Sequence, residues 1–383
     1  MRSRANSACP VRIAFYAPLK PPSHATPSGD RRVAGLLMDA LERVADKVEL
    51  VSTFRSFDAD GDAARQEALR RQGEALAERM VAQWRAAPAQ ARPGLWFTYH
   101  VYYKAPDWLG PAVSEALGIP YVIAEASYAQ KRASGPWAIG HEAAAHAIAK
   151  ARLVLAPSRE DLAGLEALAA RERLVHLPPF LDPAPYRDAA RSRERHRERL
   201  ARERGLNATV PWIAVAAMMR PGDKLASYRE LAAALARVAD LPWRLVVAGD
   251  GSARSDVQGA LEGAVPGRAH YLGTLGAREL AEVYAACDLY AWPAVNEAYG
   301  MALLEAQAAG LAVVSRATRG VPDVVVHGRT GLLVEGDIAP PLRELLLDAA
   351  RRRALGRAAG EFIATERSLD AAAGRLKTLL AGL

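Results

Sequence analysis

The stretch Pro293-Ala-Val-Asn-Glu297-Ala-Tyr299-Gly300-Met301-Ala302-Leu-Leu-Glu305-Ala-Gln-Ala-Ala-Gly310 decides the reading of this chain. Two carboxylates stand eight positions apart, with Gly300 between them and an alanine-rich helical pattern behind. A helix that starts near Gly300 leaves Glu297 on the loop at its mouth and carries Glu305 about one and a half turns inside. The amides of Gly300 and Met301 then fall among the N–H groups that lack an intrahelical partner. Such a terminus favours an anion, phosphate above all, and a Glu beside it suits the hydroxyls of a neutral polyol. Two Glu at this spacing also occur on ordinary surface helices. Glu305 is harder to set aside, because a carboxylate among Leu303, Leu304, Ala306 and Ala308 needs a partner.

Outward from this stretch, short apolar runs alternate with helical periodicity. In the first half, strands are expected at Val11–Ala17, Val48–Thr53, Leu95–His100, Tyr121–Glu125 and Leu153–Ala156. Between them lie helical patterns at Arg31–Ala45, 62–86, 110–117, His141–Lys150 and Glu160–Ala170. Four prolines within 178–186 break the rhythm, and a helix with eight Arg against four Asp or Glu follows over Arg187–Gly205. That helix reads as a solvated connector. The alternation then restarts with strands at Trp212–Ala217, Arg244–Ala248, His270–Leu272, Leu289–Ala291 and Ala312–Val314. Its helices are expected at Tyr228–Ala239, Ser255–Ala264, Ala277–Ala286 and Gly300–Ala309. Strand–helix alternation of this kind indicates βαβ units and parallel sheets. Two such halves joined by a proline-rich link suggest two nucleotide-binding-type domains facing a cleft.

Composition narrows the function classes. The chain has 383 residues, 51% of them hydrophobic, enough for two packed cores rather than a disordered chain. Its net charge of +7 is spread among balancing acids, not gathered into the stripe that nucleic acid requires, so no nucleic-acid partner is expected. Cys9 and Cys287 build neither a disulfide framework nor a zinc site, which fits a reducing, cytoplasmic setting. No apolar run approaches the roughly 18 residues of a membrane span. Arg2 and Arg4 precede no long apolar segment of a signal peptide.

The motifs together resemble the E-x7-E signature of retaining GT-B glycosyltransferases, specifically glycosyltransferase family 4. Trp212–Lys224, with Arg220 and Lys224, resembles that family's strand and Arg…Lys loop. Leu245-Val-Val-Ala-Gly-Asp-Gly251 resembles its central strand and glycine turn. Tyr271-Leu-Gly273, Ala286–Pro293 and Gly320–Val334 follow in the family's order. The resemblance covers about 130 residues and implies an α/β, GT-B fold of two Rossmann-like parallel-sheet domains. It divides the chain into an acceptor domain (1–185), a donor domain (186–365) and a last helix (366–383) packing back on the first.

The implied activity is metal-independent, retaining transfer of a sugar from a UDP- or GDP-type nucleotide sugar to a hydroxyl acceptor, in glycan, glycolipid or specialised glycoside synthesis. An epimerase or hydrolase of nucleotide sugars, or a non-catalytic nucleotide-sugar-binding subunit, is the alternative. The resemblance assigns Arg220, Lys224 and the amides of Gly300, Met301 and Ala302 to the charge that grows on the departing diphosphate. No metal site is expected, and no cofactor beyond the co-substrate. Glu297 is assigned to the donor sugar and Glu305 to the ribose. Gly273, Leu275 and Tyr299 complete the donor set.

The N-terminal half departs from the family. The glycine-rich loop is replaced by Pro27-Ser-Gly29-Asp-Arg-Arg32, where Gly29 is the candidate for close approach of backbone to phosphate. Asp30, Arg31 and Arg32 are either first-turn helix residues or, for Arg31, a phosphate contact. The family's His after the fourth strand is missing from Ile123-Ala-Glu125-Ala-Ser127-Tyr128. Glu125 is the candidate base or hydroxyl contact in its place. His100, Ser127, Lys131 and Arg132 are the candidate acceptor contacts, with His141 a further polar residue. Leu69, Leu76, Met80 and Trp84, flanked by arginines, form either a core-packing stripe or a peripheral contact with the inner face of an anionic membrane.

Overall fold

The computed structural model describes residues 11–25 and 28–383. Arg2, Arg4, Cys9 and Pro27, used above, lie outside them. The chain forms two compact units, residues 1–178 with 369–383, and residues 179–368. The first division falls inside the proline run, at Pro178/Pro179.

Unit 1 runs β1 (Arg12–Tyr16), α1 (Gly29–Glu42), β2 (Lys47–Ser52), α2 (Ala63–Ala86), β3 (Leu95–Val101), α3 (Gly110–Leu117), β4 (Tyr121–Ala126), α4 (Ala138–Lys150), β5 (Leu153–Ala156), α5 (Arg159–Leu165) and β6 (Leu174–His176). Its six strands are parallel, in the order β2-β1-β3-β4-β5-β6. The strands read as apolar runs because both faces are covered. Trp96 and Phe97 of β3 are fully buried, and Phe15 stacks on Phe97 with ring centroids 5.8 Å apart. Burying such a side chain contributes about 1.5–3 kcal/mol. Met80 of α2 is buried, and Leu76 and Trp84 pack against the same core. Trp84 meets Trp96 edge-on at 6.2 Å. Leu76, Met80 and Trp84 of the α2 stripe thus pack in the core.

Unit 2 runs α6 (Ala184–Arg191), α7 (Arg193–Arg204), β7 (Trp212–Ala216), α8 (Asp223–Ala236), β8 (Arg244–Ala248), α9 (Arg254–Ala264), β9 (Ala269–Gly273), α10 (Ala277–Ala286), β10 (Leu289–Trp292), α11 (Met301–Ala308), β11 (Ala312–Arg316), α12 (Val321–Val324), β12 (Gly331–Val334), α13 (Ala339–Leu347) and α14 (Ala349–Glu366). Its parallel order is β12-β11-β10-β7-β8-β9. The last helix, α15 (Leu369–Leu380), belongs to unit 1, where Arg375 donates to the His176 carbonyl at 2.8 Å and Arg43 pairs with Asp370.

The arginine-rich segment corrects the sequence reading. It is two helices, α6 and α7, broken at Ser192, and it is not merely a solvated connector. Arg197 is buried, its guanidinium 4.2 Å from the Trp212 ring centroid. It donates to the carbonyls of Ala286 (2.8 Å) and Val210 (2.7 Å) and to Asp288 (2.9 Å). Arg193 takes the other Asp288 oxygen at 2.7 Å. Asp288 also accepts the Trp212 amide at 2.8 Å. These arginines tie α7 to the starts of β7 and β10.

Both sheets reverse their strand order once, between β1 and β3 in unit 1 and between β7 and β10 in unit 2. In open parallel sheets, ligands bind beyond the carboxyl ends of the strands at such a reversal. Gly29 and His100 lie at the first of these places, and Arg220, Lys224, Glu297 and Gly300 at the second.

Candidate functional site

In unit 2 the loops after β7 and β10 carry Arg220, Lys224 and Glu297. Helix α8 begins at Asp223, five residues earlier than expected, so Lys224 stands on its first turn. Asp223 suits that turn because an acid complements the positive end of the helix. Lys224 Nζ pairs with Glu297 Oε2 and lies 5.5 Å from the Trp292 ring centroid. Trp292 Nε1 donates to the same carboxylate at 3.3 Å. The β10–α11 loop is laced to α8 at two more points. Val295 N donates to Ser227 Oγ at 3.0 Å, and Asn296 Nδ2 to Asp223 Oδ2 at 2.9 Å. Ala294 and Asn296 hold positive φ, 57° and 50°, a strained conformation that this lacing maintains.

Gly300 caps α11 at φ +78°, and a Cβ there would lie 2.9 Å from Leu303 Cδ1 and 3.3 Å from Glu297 Cγ. Only glycine fits, and the first amides of α11, those of Met301 and Ala302, follow it directly. Glu305 lies one turn further on, 4% exposed, accepting from Tyr284 Oη at 3.3 Å. Burial and then the Glu305 charge push the Tyr284 phenol well above its ordinary pKa. The structure thus brings Glu297, Lys224 and Gly300 together. Arg220 is exposed on the β7–α8 loop.

The glycine turn after β8 has a steric reason. Gly249 lies at φ +139°, and a Cβ there would fall 2.0 Å from the Ala217 carbonyl oxygen. Met219 N donates to the Asp250 carbonyl at 2.9 Å, fixing the backbone next to Arg220. Gly273 ends β9 at φ +73°, and Leu275 and Tyr299 are half-buried.

In unit 1, Ser28 caps α1, its Oγ accepting from Arg31 N at 3.2 Å. Gly29 and Asp30 therefore belong to the first turn. Gly29 has no positive φ, and a Cβ there would meet nothing within 4 Å. Arg31 donates to the Pro22 carbonyl at 3.0 Å, so its side chain braces the preceding loop.

His100 and Glu125 are the penultimate residues of β3 and β4, between the Tyr99–Ala124 and Val101–Ala126 pairs, and both hold positive φ, 63° and 60°. A left-handed backbone costs a non-glycine residue about 1–2 kcal/mol. His100 Nδ1 lies 3.0 Å from Asp30 Oδ1 and 3.7 Å from Glu125 Oε1. Tyr99 Oη donates to Glu125 Oε2 at 3.3 Å. Burial opposes the imidazolium, but Glu125 and Asp30 outweigh it and raise the His100 pKa. Burial likewise pushes the Asp30 carboxyl up, yet its bond to His100 and the imidazolium charge bring it below the usual range.

The remaining acceptor candidates separate. Ser127 and Lys131 are exposed. Arg132 rests over the rings of Trp137 and Tyr103, 5.0 and 5.4 Å from their centroids. His141 is buried and stacks on Tyr128 at 4.9 Å. Trp292, Ser227, Asp223 and the Asp30–His100 contact were not singled out from the sequence as site elements. Their signal is spatial: each joins segments separated by 65 residues or more, except Trp292, whose Pro293 neighbour marked only a strand end. Among the described residues no helix is long and apolar enough to cross a membrane.

Two parallel-sheet units of this topology make up the GT-B fold. Residues 212–349 match the family described as glycosyl transferases group 1. A D-inositol 3-phosphate glycosyltransferase of Actinosynnema mirum is 32% identical over 300 residues, 72% of this chain and 70% of the relative. The protein belongs to the group 1 glycosyl transferases. Another relative of the same name, from Corynebacterium aurimucosum, is 42% identical over 108 residues. That match covers 27% of this chain, which spans only a quarter (25%) of that relative's length. A structure of Anabaena Alr3699/HepE in complex with UDP superposes with a TM-score of 0.70. It covers 97% of this chain and 100% of that one at 16% identity, a likeness of fold.

Proposed function

We propose that the protein is a retaining, metal-independent glycosyltransferase of the family 4 type, which moves a sugar from a UDP- or GDP-sugar to a hydroxyl acceptor. The observation that carries this reading is the Lys224–Glu297 pair at the mouth of α11, with Glu305 buried one turn behind it. The diphosphate lies against the amides of Gly300, Met301 and Ala302, with Lys224 and Arg220 as its cations. As the bond from the anomeric carbon to the β-phosphate oxygen breaks, the electron pair stays on that oxygen, and these groups stabilise the growing charge. The acceptor oxygen bonds to the same carbon on the same face, and its proton passes to the departing phosphate. Glu297 holds sugar hydroxyls and Glu305 the ribose. The names of the inositol 3-phosphate relatives support a phosphorylated polyol as the acceptor class, and the UDP-bound neighbour supports UDP as the base carrier. A membrane contact is not part of the proposal, because Leu76, Met80 and Trp84 are spent on the core.

The test is nucleoside-diphosphate release from UDP- and GDP-sugars in EDTA, with inositol 3-phosphate among the acceptors. Release that depends on acceptor, with the donor's anomeric configuration in the product, supports the reading. Free sugar or isomerised donor without acceptor overturns it in favour of a hydrolase or epimerase. Tight donor binding without turnover on any acceptor identifies a binding subunit.

A further inference from the structure

The strand reversal of unit 1 holds a second constellation, built from three elements. Asp30 comes from the first turn of α1, His100 from the end of β3 and Glu125 from the end of β4. Strand β3 is the neighbour of both β1 and β4, so the topology converges these residues although they are 25 to 95 positions apart. Both His100 and Glu125 sit in left-handed backbone that side chains rarely adopt. Strain of this kind at two adjacent strand ends argues for a functional demand on where these side chains point.

We propose that Asp30 is the positioning residue for His100: with Glu125 it holds Nδ1 and presents Nε2 as a hydrogen-bond donor to an oxygen of the sugar or polyol ligand. This rests on the glycosyltransferase reading above only for the identity of the ligand. The carboxylates gather on one ring nitrogen, Nδ1, at 3.0 and 3.7 Å, while Nε2 bonds no described residue. The His100 side chain is 18% exposed. A carboxylate on one nitrogen of a histidine fixes which nitrogen does the work on the other side. The charged groups that face the ring are Glu125 from β4, Asp30 from α1 and Asp161 from α5, with the phenols of Tyr99 and Tyr102 beside it. All three charges are negative, so the imidazolium is favoured despite burial. A charged Nε2–H suits an oxygen that only accepts or that can rotate to accept, as hydroxyl and phosphate oxygens do.

The test is an NMR titration of the His100 imidazole in the full chain, assigned with His100→Gln, in wild type, Asp30→Asn and Asp30→Glu. A parallel pH profile of kcat/KM is taken for UDP release from UDP-glucose. The wild-type ring should titrate above the ordinary value, Asp30→Asn should lower it by about one unit or more, and Asp30→Glu should recover most of the shift. The pH limb of kcat/KM should move with the titration, with KM changing more than kcat. A His100 titration that is indifferent to Asp30→Asn overturns the proposal, as does a pH limb that stays fixed while the titration moves. If UDP-glucose is not turned over at any pH, the glycosyltransferase reading fails for this donor, and the titration alone still decides the Asp30–His100 assignment.

Discussion

Replacing Gly300 by alanine perturbs the proposed nucleotide site at its tightest point. At φ +78° the new side chain takes on the left-handed penalty of about 1–2 kcal/mol. Its Cβ also falls 2.9 Å from Leu303 Cδ1 and 3.1 Å from Leu303 Cγ, and Leu303 is fully buried, so it cannot swing out. Overpacking of this kind adds about 1–3 kcal/mol. A total of about 2–5 kcal/mol corresponds to a fall in Tm of roughly 4–20 °C at about 2–4 °C per kcal/mol. The same overlap presses on Glu297 Cγ at 3.3 Å, so the Lys224–Glu297 pair and the first α11 amides shift together. UDP affinity should fall about tenfold or more, equivalent to about 1.4 kcal/mol. Gly328→Ala is the control: φ is +75°, but nothing lies within 4 Å of its Cβ. It should cost only the backbone penalty and leave UDP binding intact. Differential scanning calorimetry and titration calorimetry on both variants decide the matter. If Gly300→Ala is no more costly than Gly328→Ala and binds UDP as wild type does, the steric argument for Gly300 is refuted.

Three further outcomes are expected. Arg197→Ala removes the bonds to Ala286, Val210 and Asp288 and leaves Arg193 as the cation on Asp288; it should destabilise the protein by about 1.5–3 kcal/mol in urea unfolding, with Arg197→Lys recovering little because lysine cannot reach Ala286, Val210 and Asp288 at once. Gly29→Ala should raise stability by about 0.4–1 kcal/mol, as the site is open and helical, yet lower kcat/KM if backbone there approaches phosphate; unchanged turnover would remove Gly29 from the site. The Asp30–His100 pair should also mark the pH dependence of stability. The raised His100 pKa gives stability that is full below its unfolded value of about 6.5 and fades as pH rises through the folded value. The depressed Asp30 pKa gives stability present above about 4 and lost as pH falls through its folded value. The difference in unfolding free energy between wild type and Asp30→Asn should therefore peak between roughly pH 4 and 6.5 and shrink on both sides; a flat difference would contradict the pairing.

The strands of both sheets were legible because doubly covered parallel strands write themselves as short apolar runs, as at Val11–Ala17 and Trp212–Ala217. β6 escaped because Leu174-Val-His176 is only three residues long and half-buried. The closing strand β12 was read as part of a family segment, Gly320–Val334, without its own boundaries. The α7 arginines looked solvated because nothing local distinguishes Arg197 from Arg195. The carboxylate that Arg197 clamps lies 91 residues away at Asp288. In the proposed nucleotide site, Glu297, Gly300 and Glu305 were legible together because one helix start spaces them. Lys224 was legible as a residue, but its pairing with Glu297 depends on α8 starting at Asp223, which Gly222 at φ +84° determines. In unit 1, His100 and Glu125 stood out as polar ends of apolar strands. Asp30 did not, because its role depends on β1 and β3 being neighbours at the strand reversal.

The central claim is that the mouth of α11 binds a nucleoside diphosphate without metal. Its most direct test is titration calorimetry in EDTA with UDP, GDP, ADP, CDP and dTDP, on wild type, Arg220→Ala and Glu305→Ala. The account predicts selective binding of one diphosphate, weakened about tenfold or more in both variants, as expected for the loss of charged hydrogen bonds of about 1.5–3 kcal/mol. Binding of none of the five, with or without EDTA, or equal binding by all three proteins, would contradict it.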